Sequence, residues 1–255
     1  MSRNGQKRRG RAPQRPVAVF ALDFRQGATT GRHAHPFGQL VHAARGVMRV
    51  TAERGTWVVP PGRAVWIPPR LEHEVEMVTS VEMRTIYTTP EALPRAPSES
   101  RVVAVSPLLR ELILEALRLP RPYPLGGSEE RLFVVLLDRI AFDDVVPLHL
   151  PMPRGGLALD VARALRDDPA DGRTIGEWAE SVGASARTLA REFHRETGLS
   201  LGAWRAQLRL VRALELLAVG TPVTRVALSL GYDGTSAFIA AFRRHLGTTP
   251  ARDFE

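Results

Sequence analysis

Two stretches of the chain follow one pattern: TIGEWAESVGASARTLAREFHRETG, residues 174–198, and PVTRVALSLGYDGTSAFIAAFRRHLG, residues 222–247. The matched positions are 48 residues apart in the first half of the pattern and 49 apart in the second half. They are Ile175, Ala179, Gly183, Leu189, Phe193 and Gly198 in the first copy and Val223, Ala227, Gly231, Phe238, Phe242 and Gly247 in the second. A fixed period that preserves residue type is the signature of a repeated structural unit. The sequence therefore predicts one small helical unit that occurs twice.

The first copy carries the start and turn signals of two short helices. Thr174 and Glu177 have the spacing of a capping box, which predicts a helix over residues 175–181. Gly183 can take the positive φ of a tight turn, and Ser185 is a preferred residue for capping the helix that follows. The first copy is therefore predicted to be a helix-turn-helix unit.

The second copy predicts the same arrangement, and a single helix joins the two. Gly231 supplies the turn, and the later helix is predicted over residues 235–246. Between the copies, residues 201–219 place apolar side chains at helical spacing, namely Leu201, Trp204, Leu208, Val211, Leu214 and Ala218. A helix of that length spans roughly 28 Å, and successive major grooves on one face of DNA lie roughly 34 Å apart. One chain is thus predicted to place two helices in adjacent grooves.

Further motifs accompany the repeat. They are Arg209-x-x-Arg212-Ala213-x-x-Leu216-Leu217 on the joining helix and Gly231-Tyr232, Phe242-Arg243 and Gly247-Thr248-Thr249-Pro250 near the end. With these motifs, residues 155–255 resemble the DNA-binding region of AraC/XylS-type transcriptional regulators. The resemblance implies a sequence-specific activator or repressor that binds double-stranded DNA, and RNA polymerase if it is an activator.

Positions on the motif predict which side chains face DNA. The predicted DNA-binding residues are Ser185, Arg187, Thr188 and Arg191 on the first reading helix and Thr235, Ser236, Ile239, Ala240 and Arg243 on the second. Arg187 and Arg191 are the predicted base readers, because a guanidinium can grip guanine O6 and N7 in a bidentate contact. The small side chains of the second helix predict phosphate or thymine-methyl contacts, so specificity should be concentrated on the first half-site.

The N-terminal region reads differently, with short β-rich runs separated by Gly and Pro between residues 17 and 89. Many short strands at this spacing predict an antiparallel barrel or jelly roll. The predicted fold class is therefore α+β, an N-terminal antiparallel β-barrel of cupin or jelly-roll type followed by an all-α domain with two helix-turn-helix units.

This strand-rich region contains several histidines at recognisable spacings. The patterns His33-x-His35-x3-Gln39-x6-Gly46 and Pro68-x-Arg70-x-x-His73 resemble the two cupin motifs, although Gln39 stands where those motifs have Glu and Arg70 where they have Gly. Residues two apart on a strand face the same side, so His33 and His35 can both point into a barrel, and His73 would supply a third imidazole. Neutral imidazole suits a divalent transition metal such as Zn, Ni or Fe. Two readings stay open: His33, His35 and His73 hold a metal, or these histidines and Gln39 hydrogen-bond within a ligand pocket.

The remaining segments complete the predicted organisation. Apolar stripes predict two helices after the strand region, and the second stripe is apolar almost all round. The resemblance implies that such helices form a homodimer, while the alternative is that they only cap the barrel. The predicted parts are a basic disordered tail (1–16), a cupin-like sensor barrel (17–100), a helical dimerisation or capping segment (101–145), a linker (146–156) and the DNA-binding domain (157–255).

Composition narrows the function classes. The chain has no cysteine, which excludes thiolate metal sites, thiol redox sensing and repair-type regulators that accept a methyl group on a thiolate. Its net charge of +8 includes six basic and no acidic residues within residues 1–16, so bulk charge does not indicate DNA binding in the rest of the chain. A signal core and a membrane-length apolar run are missing from the sequence, and we expect a cytoplasmic protein without membrane partners.

Two functions from different classes fit these features. The first is a DNA-binding regulator whose cupin-like domain senses a small molecule or a metal, with no catalytic residues. The alternative is a cupin metalloenzyme of oxygenase or isomerase type fused to a DNA-binding module. None of the residues that define the two motifs is a Glu or Asp that would act as a general base, which favours the regulator.

Overall fold

The computed structural model describes residues 14–142, 148–247 and 249–250. The described residues form two compact units. The first unit consists of the described residues within 1–53 and 59–145, and the second consists of those within 54–58 and 146–255. Of the predicted basic tail, residues 1–13 lie outside the described residues. Within the described part of the chain, no helix is long and apolar enough to cross a membrane.

Antiparallel strands make up most of the first unit. In chain order, the strands of the described residues are β1 (Val17–Phe24), β2 (Gly38–Arg45), β3 (Met48–Ala52), β4 (Gly55–Val59), β5 (Arg63–Ile67), β6 (His73–Met77), β7 (Val81–Thr88), β8 (Arg101–Ala104) and β9 (His149–Pro151). One sheet has the order β1-β7-β2-β5-β8, and β3 pairs antiparallel with β6. Buried and less buried residues alternate along β3 and β6, as expected for strands with one face in a core.

The structure confirms the α+β class and the antiparallel strands, but it differs from the predicted barrel. Among the described strands no closed barrel forms, because β1 and β8 are the two edges of the five-stranded sheet. The sequence pattern indicates one β-rich run from residue 74 to residue 87, whereas the structure has two strands there, β6 and β7. A turn at Thr79 separates them, where the Thr79 hydroxyl oxygen accepts a hydrogen bond from the Val47 amide at 2.9 Å.

Two segments predicted as helix or linker contain strands instead. The predicted helical dimerisation or capping segment, residues 101–145, contains β8 before its first helix, and β8 pairs with β5. The predicted linker, residues 146–156, contains β9, which pairs antiparallel with β4. Both strands are short, and each is held by a partner distant in sequence, so local patterning gave no signal for them.

Two helices cover one face of the five-stranded sheet. They are α1 (Pro107–Ala116), capped by the Ser106 side chain, and α2 (Ser128–Asp138). Leu109 and Ile113 of α1 and Phe133 and Leu136 of α2 share a core with the sheet residue Trp66. Other apolar side chains stay exposed, namely Leu108 at 54%, Val134 at 54% and Val135 at 45%.

The second unit is mainly helical. Its helices are α3 (Gly156–Asp167), α4 (Ile175–Ser181), α5 (Ala186–Thr197), α6 (Leu201–Ala218), α7 (Val223–Ser229) and α8 (Thr235–Leu246). Trp178 of α4, Leu189 and Phe193 of α5 and Trp204 of α6 belong to one buried core.

The sequence repeat corresponds to two matched helix pairs. The helices α4 and α7 have seven residues each, and α5 and α8 have twelve each. The turn glycines Gly183 and Gly231 have φ values of 68° and 70°, a region that favours glycine. Equivalent residues also make equivalent turn bonds, because the Ala184 amide donates to Ala179 O at 2.8 Å and the Tyr232 amide donates to Ala227 O at 3.0 Å.

Candidate histidine cluster and DNA interface

Three histidines of the first unit come together at the start of β6. His33 and His73 face each other in an antiparallel bridge, with the His33 amide donating to His73 O at 3.0 Å and the His73 amide donating to His33 O at 2.9 Å. The ring centroids of His35 and His73 are 5.1 Å apart. The three side chains offer ligand atoms that all lie within 4.8 Å of one another. The predicted grouping of His33, His35 and His73 is therefore present in the structure.

Backbone carbonyls fix which ring nitrogen carries the proton. Nδ1 of His33, His35 and His73 lies 2.9 Å from Gly31 O, Phe37 O and Leu71 O, respectively. A carbonyl oxygen can only accept, so each Nδ1 carries the hydrogen and each neutral ring keeps an unshared electron pair on Nε2. Metal-binding histidines commonly have their outer nitrogen anchored in this way.

Gln39 of β2 closes the cluster from the sheet side. Its Oε1 lies 2.9 Å from His35 Nε2 and 3.2 Å from His73 Nε2. Its Nε2 donates to Thr85 Oγ1 at 2.9 Å and to Tyr87 Oη at 3.0 Å, both on β7. In this orientation the amide oxygen and two imidazole electron pairs converge, an arrangement that a cation would stabilise. With the amide turned over, its NH2 would instead donate to the two imidazoles.

Burial keeps the His73 ring neutral. His73 is fully buried, and that burial lowers its pKa from 6.5 to about 4, an effect opposed by the hydrogen bond to Leu71 and reinforced by His33 and His35. An imidazole with this pKa is unprotonated at neutral pH and is available as a ligand. Among the described residues the cluster contains no carboxylate.

The structure also accounts for Arg70, which stands where the cupin motif has glycine. Arg70 has a φ of 64°, in the left-handed region that favours glycine, and its amide donates to His35 O at 2.7 Å. The backbone shape expected of the motif is thus kept despite the substitution. Sequence reasoning missed Thr85 and Tyr87, although their spacing of two on one strand places them on the same face.

On the second unit, the predicted DNA-facing residues of α5 occupy its N-terminal half. Ser185 caps the helix, because its Oγ accepts from the Thr188 amide at 3.1 Å and lies 2.9 Å from Thr188 Oγ1. Arg187 and Arg191 are exposed, one helical turn apart, and neither has a hydrogen bond or ion pair within the described part of the chain. Their guanidinium groups are therefore available to an outside partner, whereas the two hydroxyls already serve the cap.

On α8, Ser236, Ala240 and Arg243 are exposed, while Thr235 and Ile239 are half-buried. The helix starts after Gly234 without a side-chain cap. A shallow concave surface is lined by Ser236, Ile239, Ala240, Arg243 and Arg244. This face combines small side chains with two cations, and it includes Arg244 in addition to the predicted set.

Comparisons with known proteins find a matching family for a large part of each unit. A family described as AraC-like ligand binding domain matches residues 16–131, and one described as helix-turn-helix domain matches residues 178–255. The HTH-type transcriptional regulator NimR of Escherichia coli K12 is 37% identical over 224 residues, which cover 88% of this chain and 82% of NimR. RipA of Corynebacterium glutamicum, also an HTH-type transcriptional regulator, is 45% identical over 111 residues, 43% of this chain and 33% of RipA. A structure of ToxT from Vibrio cholerae aligns with 93% of this chain and 97% of its own at a TM-score of 0.39 and 8% identity.

Proposed function

This chain belongs to the AraC family of DNA-binding transcriptional regulators and carries an N-terminal ligand-binding domain; from that premise we propose that its two matched helix pairs are helix-turn-helix units that read one DNA duplex. In this proposal α5 and α8 are the reading helices, and α6 sets the distance between them. The eighteen residues of α6 give a rod of about 27 Å, close to the spacing of roughly 34 Å between successive major grooves. The observation that carries the proposal is the exposed Arg187–Arg191 face of α5, whose two guanidinium groups have no hydrogen bond or ion pair among the described residues.

In this proposal α5 reads the DNA bases, and α8 stabilises the complex through phosphate contacts. Arg187 and Arg191 can each form a bidentate contact with guanine. On α8, Ser236 and Ala240 are too short for such contacts, while Arg243 and Arg244 suit phosphates. Ser185, Thr188, Thr235 and Ile239 complete the proposed interface close to the DNA backbone.

Binding measurements with Arg191→Ala test this division of labour. We expect a loss of about 1–3 kcal/mol on a selected operator and a smaller loss on unrelated DNA. Arg163→Ala is the matched control, because Arg163 is also exposed in the second unit and its replacement removes the same charge. An equal loss on both kinds of DNA, or the same loss in the control, would remove Arg191 from the base-reading role.

For the first unit, we propose that the histidine cluster is the effector site. Nε2 of His33, His35 and His73 would hold one divalent transition metal, Zn, Ni or Fe, and Oε1 of Gln39 would be a further ligand. The anchored Nδ1 atoms and the neutral His73 ring support this assignment. The effector is then the metal itself or a small molecule that coordinates it.

Metal analysis tests the cluster directly. Purified protein is dialysed against Zn²⁺, Ni²⁺ or Fe²⁺, and bound metal is counted for the wild type and for His35→Ala. His42→Ala is the control, because His42 is also a buried histidine of β2 whose Nδ1 is bonded to a backbone carbonyl, that of Arg63. We expect one metal in the wild type and in the control and none in His35→Ala.

Sensing rather than catalysis is the role we propose for this site. The carboxylates nearest in sequence are engaged elsewhere at the surface, since Glu74 accepts from the Thr29 hydroxyl at 2.5 Å and Glu72 lies 3.4 Å from Arg32. A general base within the cluster would have to be one of its own histidines. Turnover by the metal-loaded protein would favour the metalloenzyme alternative.

We further propose that the chain acts in the cytoplasm as a homodimer formed through α2. Val134 and Val135 are adjacent on α2 and about half exposed, and Leu108 of α1 is exposed as well. A second copy of this surface would remove these side chains from water. If the regulator is an activator, RNA polymerase is a further partner.

A further inference from the structure

One strand of the N-terminal sequence region belongs structurally to the second unit. Residues 54–58, most of β4, group with the helical unit, although the residues before and after them in the chain belong to the first unit. The predicted linker contributes β9 to the same place. We call β4 and β9 together the β4–β9 ribbon.

Backbone and side-chain contacts hold the β4–β9 ribbon together. Thr56 pairs with Leu150 and Trp57 with His149 in an antiparallel register, and the Val58 amide donates to Leu148 O at 3.0 Å. The rings of Trp57 and His149 stack with centroids 4.4 Å apart and an interplanar angle of 12°. The ribbon is thus a defined element and not a loose connection.

The ribbon is fastened to α6, the helix that joins the two helix pairs. Trp204 Nε1 donates to Pro151 O at 2.6 Å, and the Gln207 side chain donates to His149 O. Leu150 is buried in the same core as Trp204 and Leu208. Three successive residues of β9 therefore contact one face of α6.

In the first unit, the strand that precedes the ribbon is paired with the histidine cluster. Ala52, the last residue of β3, is the ladder partner of His73, the first residue of β6. Only Glu53 and Arg54 lie between Ala52 and Gly55, the first residue of β4. A continuous series of ladder pairs, three peptide bonds and hydrogen bonds therefore runs from His73 to α6.

We propose that the β4–β9 ribbon couples the occupancy of the histidine cluster to the position of α6, and so to the presentation of α5 and α8 to DNA. This inference rests on the proposed function, in which the cluster binds metal and the second unit binds DNA. A change at His73 moves β3 through its ladder partner, and β4 follows because it is two residues away. The ribbon then moves with α6, because Gln207 and Trp204 hold β9.

The coupling is measured as the ratio of the DNA affinity with metal to the DNA affinity without metal. The experiment uses the full chain and ZnCl2 or NiCl2 as the metal probe. The DNA is a duplex that the wild type selects from a random-sequence library. Allosteric couplings typically change affinity by roughly 5–150-fold, and we expect a wild-type ratio in that range. The weakened variant is Gln207→Ala combined with His149→Ala, which removes one of the ribbon's two hydrogen bonds to α6 and the ring stack on Trp57. Gln26→Ala is the control, an exposed glutamine of the first unit.

The expected result separates this inference from the proposed function. The double variant should bind metal and apo-state DNA as the wild type does, while its coupling ratio falls to about two or less, compared with the roughly 5–150-fold range of ordinary allosteric couplings. His149→Phe, which keeps an aromatic ring on Trp57, should retain part of the coupling. Amide exchange at Val58 should respond to metal in the wild type and not in the double variant.

Three results would overturn the inference. An unchanged coupling ratio in a folded double variant would refute the ribbon's role while leaving metal and DNA binding intact. A wild type that binds metal and DNA with a ratio of one would also refute it. A wild type that binds no metal would refute the proposed sensor site itself, and the coupling inference with it.

Discussion

Acidification should destabilise the first unit through His73. The ring is fully buried and its pKa is lowered from 6.5 to about 4, so the unfolded chain binds a proton in this pH range that the folded chain does not. For a histidine with a depressed pKa, the contribution to stability is complete above pH 6.5 and is lost as the pH falls towards 4. A shift of this size corresponds to about 3 kcal/mol, reached near pH 4 and constant below it.

Native-state hydrogen exchange measures this effect in the first unit alone. The free energy of opening is followed for slowly exchanging amides of β2 and β7 between pH 6.5 and pH 4, after correction for the intrinsic pH dependence of exchange. The variant His73→Gln keeps a polar side chain of similar size but cannot take up the proton. We expect the difference between wild type and variant to shrink by about 3 kcal/mol over this range.

Metal provides the matched second condition. Coordination at Nε2 keeps the His73 ring unprotonated, so saturating Zn²⁺ should move the loss of stability to lower pH in the wild type and leave His73→Gln unaffected. Parallel profiles of wild type and variant between pH 6.5 and pH 4 would refute the account of a neutral, buried His73.

Further predictions concern single positions in both units. Gln39→Glu should strengthen metal binding by roughly 10–100-fold, the scale on which changes to groups around a metal alter its affinity. Competition with a chelator measures this affinity. An unchanged affinity would remove Gln39 from the ligand set. Gly231→Ala should destabilise the second unit by about 1–3 kcal/mol, as measured by urea denaturation. The reason is that φ is 70° at this position and the added Cβ would lie 2.7 Å from Ala170 O. Unchanged stability would show that the turn can relax. Thr174→Ala should cost about 1 kcal/mol of the same stability, because Thr174 and Glu177 form a complete capping box, whereas Ser236→Ala should cost less. Val134→Glu should shift the sedimentation of the purified protein from dimer to monomer, whereas the control Glu130→Gln, at a half-buried position of the same helix, should not. A dimer that survives in the Val134 variant would place the interface elsewhere.

The repeat in the second unit could be predicted almost residue for residue, because its signals are local. Caps, turn glycines and a four-residue spacing of apolar side chains act within a few residues of one another, and the same signals occur twice. The four-residue spacing of Leu189 and Phe193, and likewise of Phe238 and Phe242, places each pair on one inner face of its helix, and all four are buried. The predicted helix boundaries of α4 and α8 agree with the structure for the same reason.

The strand-rich unit was less predictable because its pairing is non-local. The strand β8 has four residues and β9 has three, and each exists because a distant strand offers it a ladder. For this reason the sequence predicts only a linker at residues 146–156. The Pro and Gly residues around residue 150 give no indication of the three residues that pair with β4. Sheet closure likewise depends on edge pairing, which the period-two pattern does not encode.

The histidine cluster lies between these extremes. His33 and His35 follow from their spacing of two, and His73 follows from the second motif, so the three rings could be grouped from sequence. The partners of Gln39 could not, because Thr85 and Tyr87 are 46 and 48 residues further along the chain and reach the cluster only through the pairing of β2 with β7. The anchoring carbonyls also require the folded backbone.

Hydroxyl-radical footprinting on a selected operator tests most directly whether the two helix pairs read one duplex. Each subunit should protect two regions on one face of the DNA, separated by about one helical turn of roughly 34 Å. Combining Arg187→Ala with Arg191→Ala should weaken the region bound by α5 and leave the region bound by α8 in place. A single protected region per subunit, or two regions that weaken equally in this variant, would contradict the account.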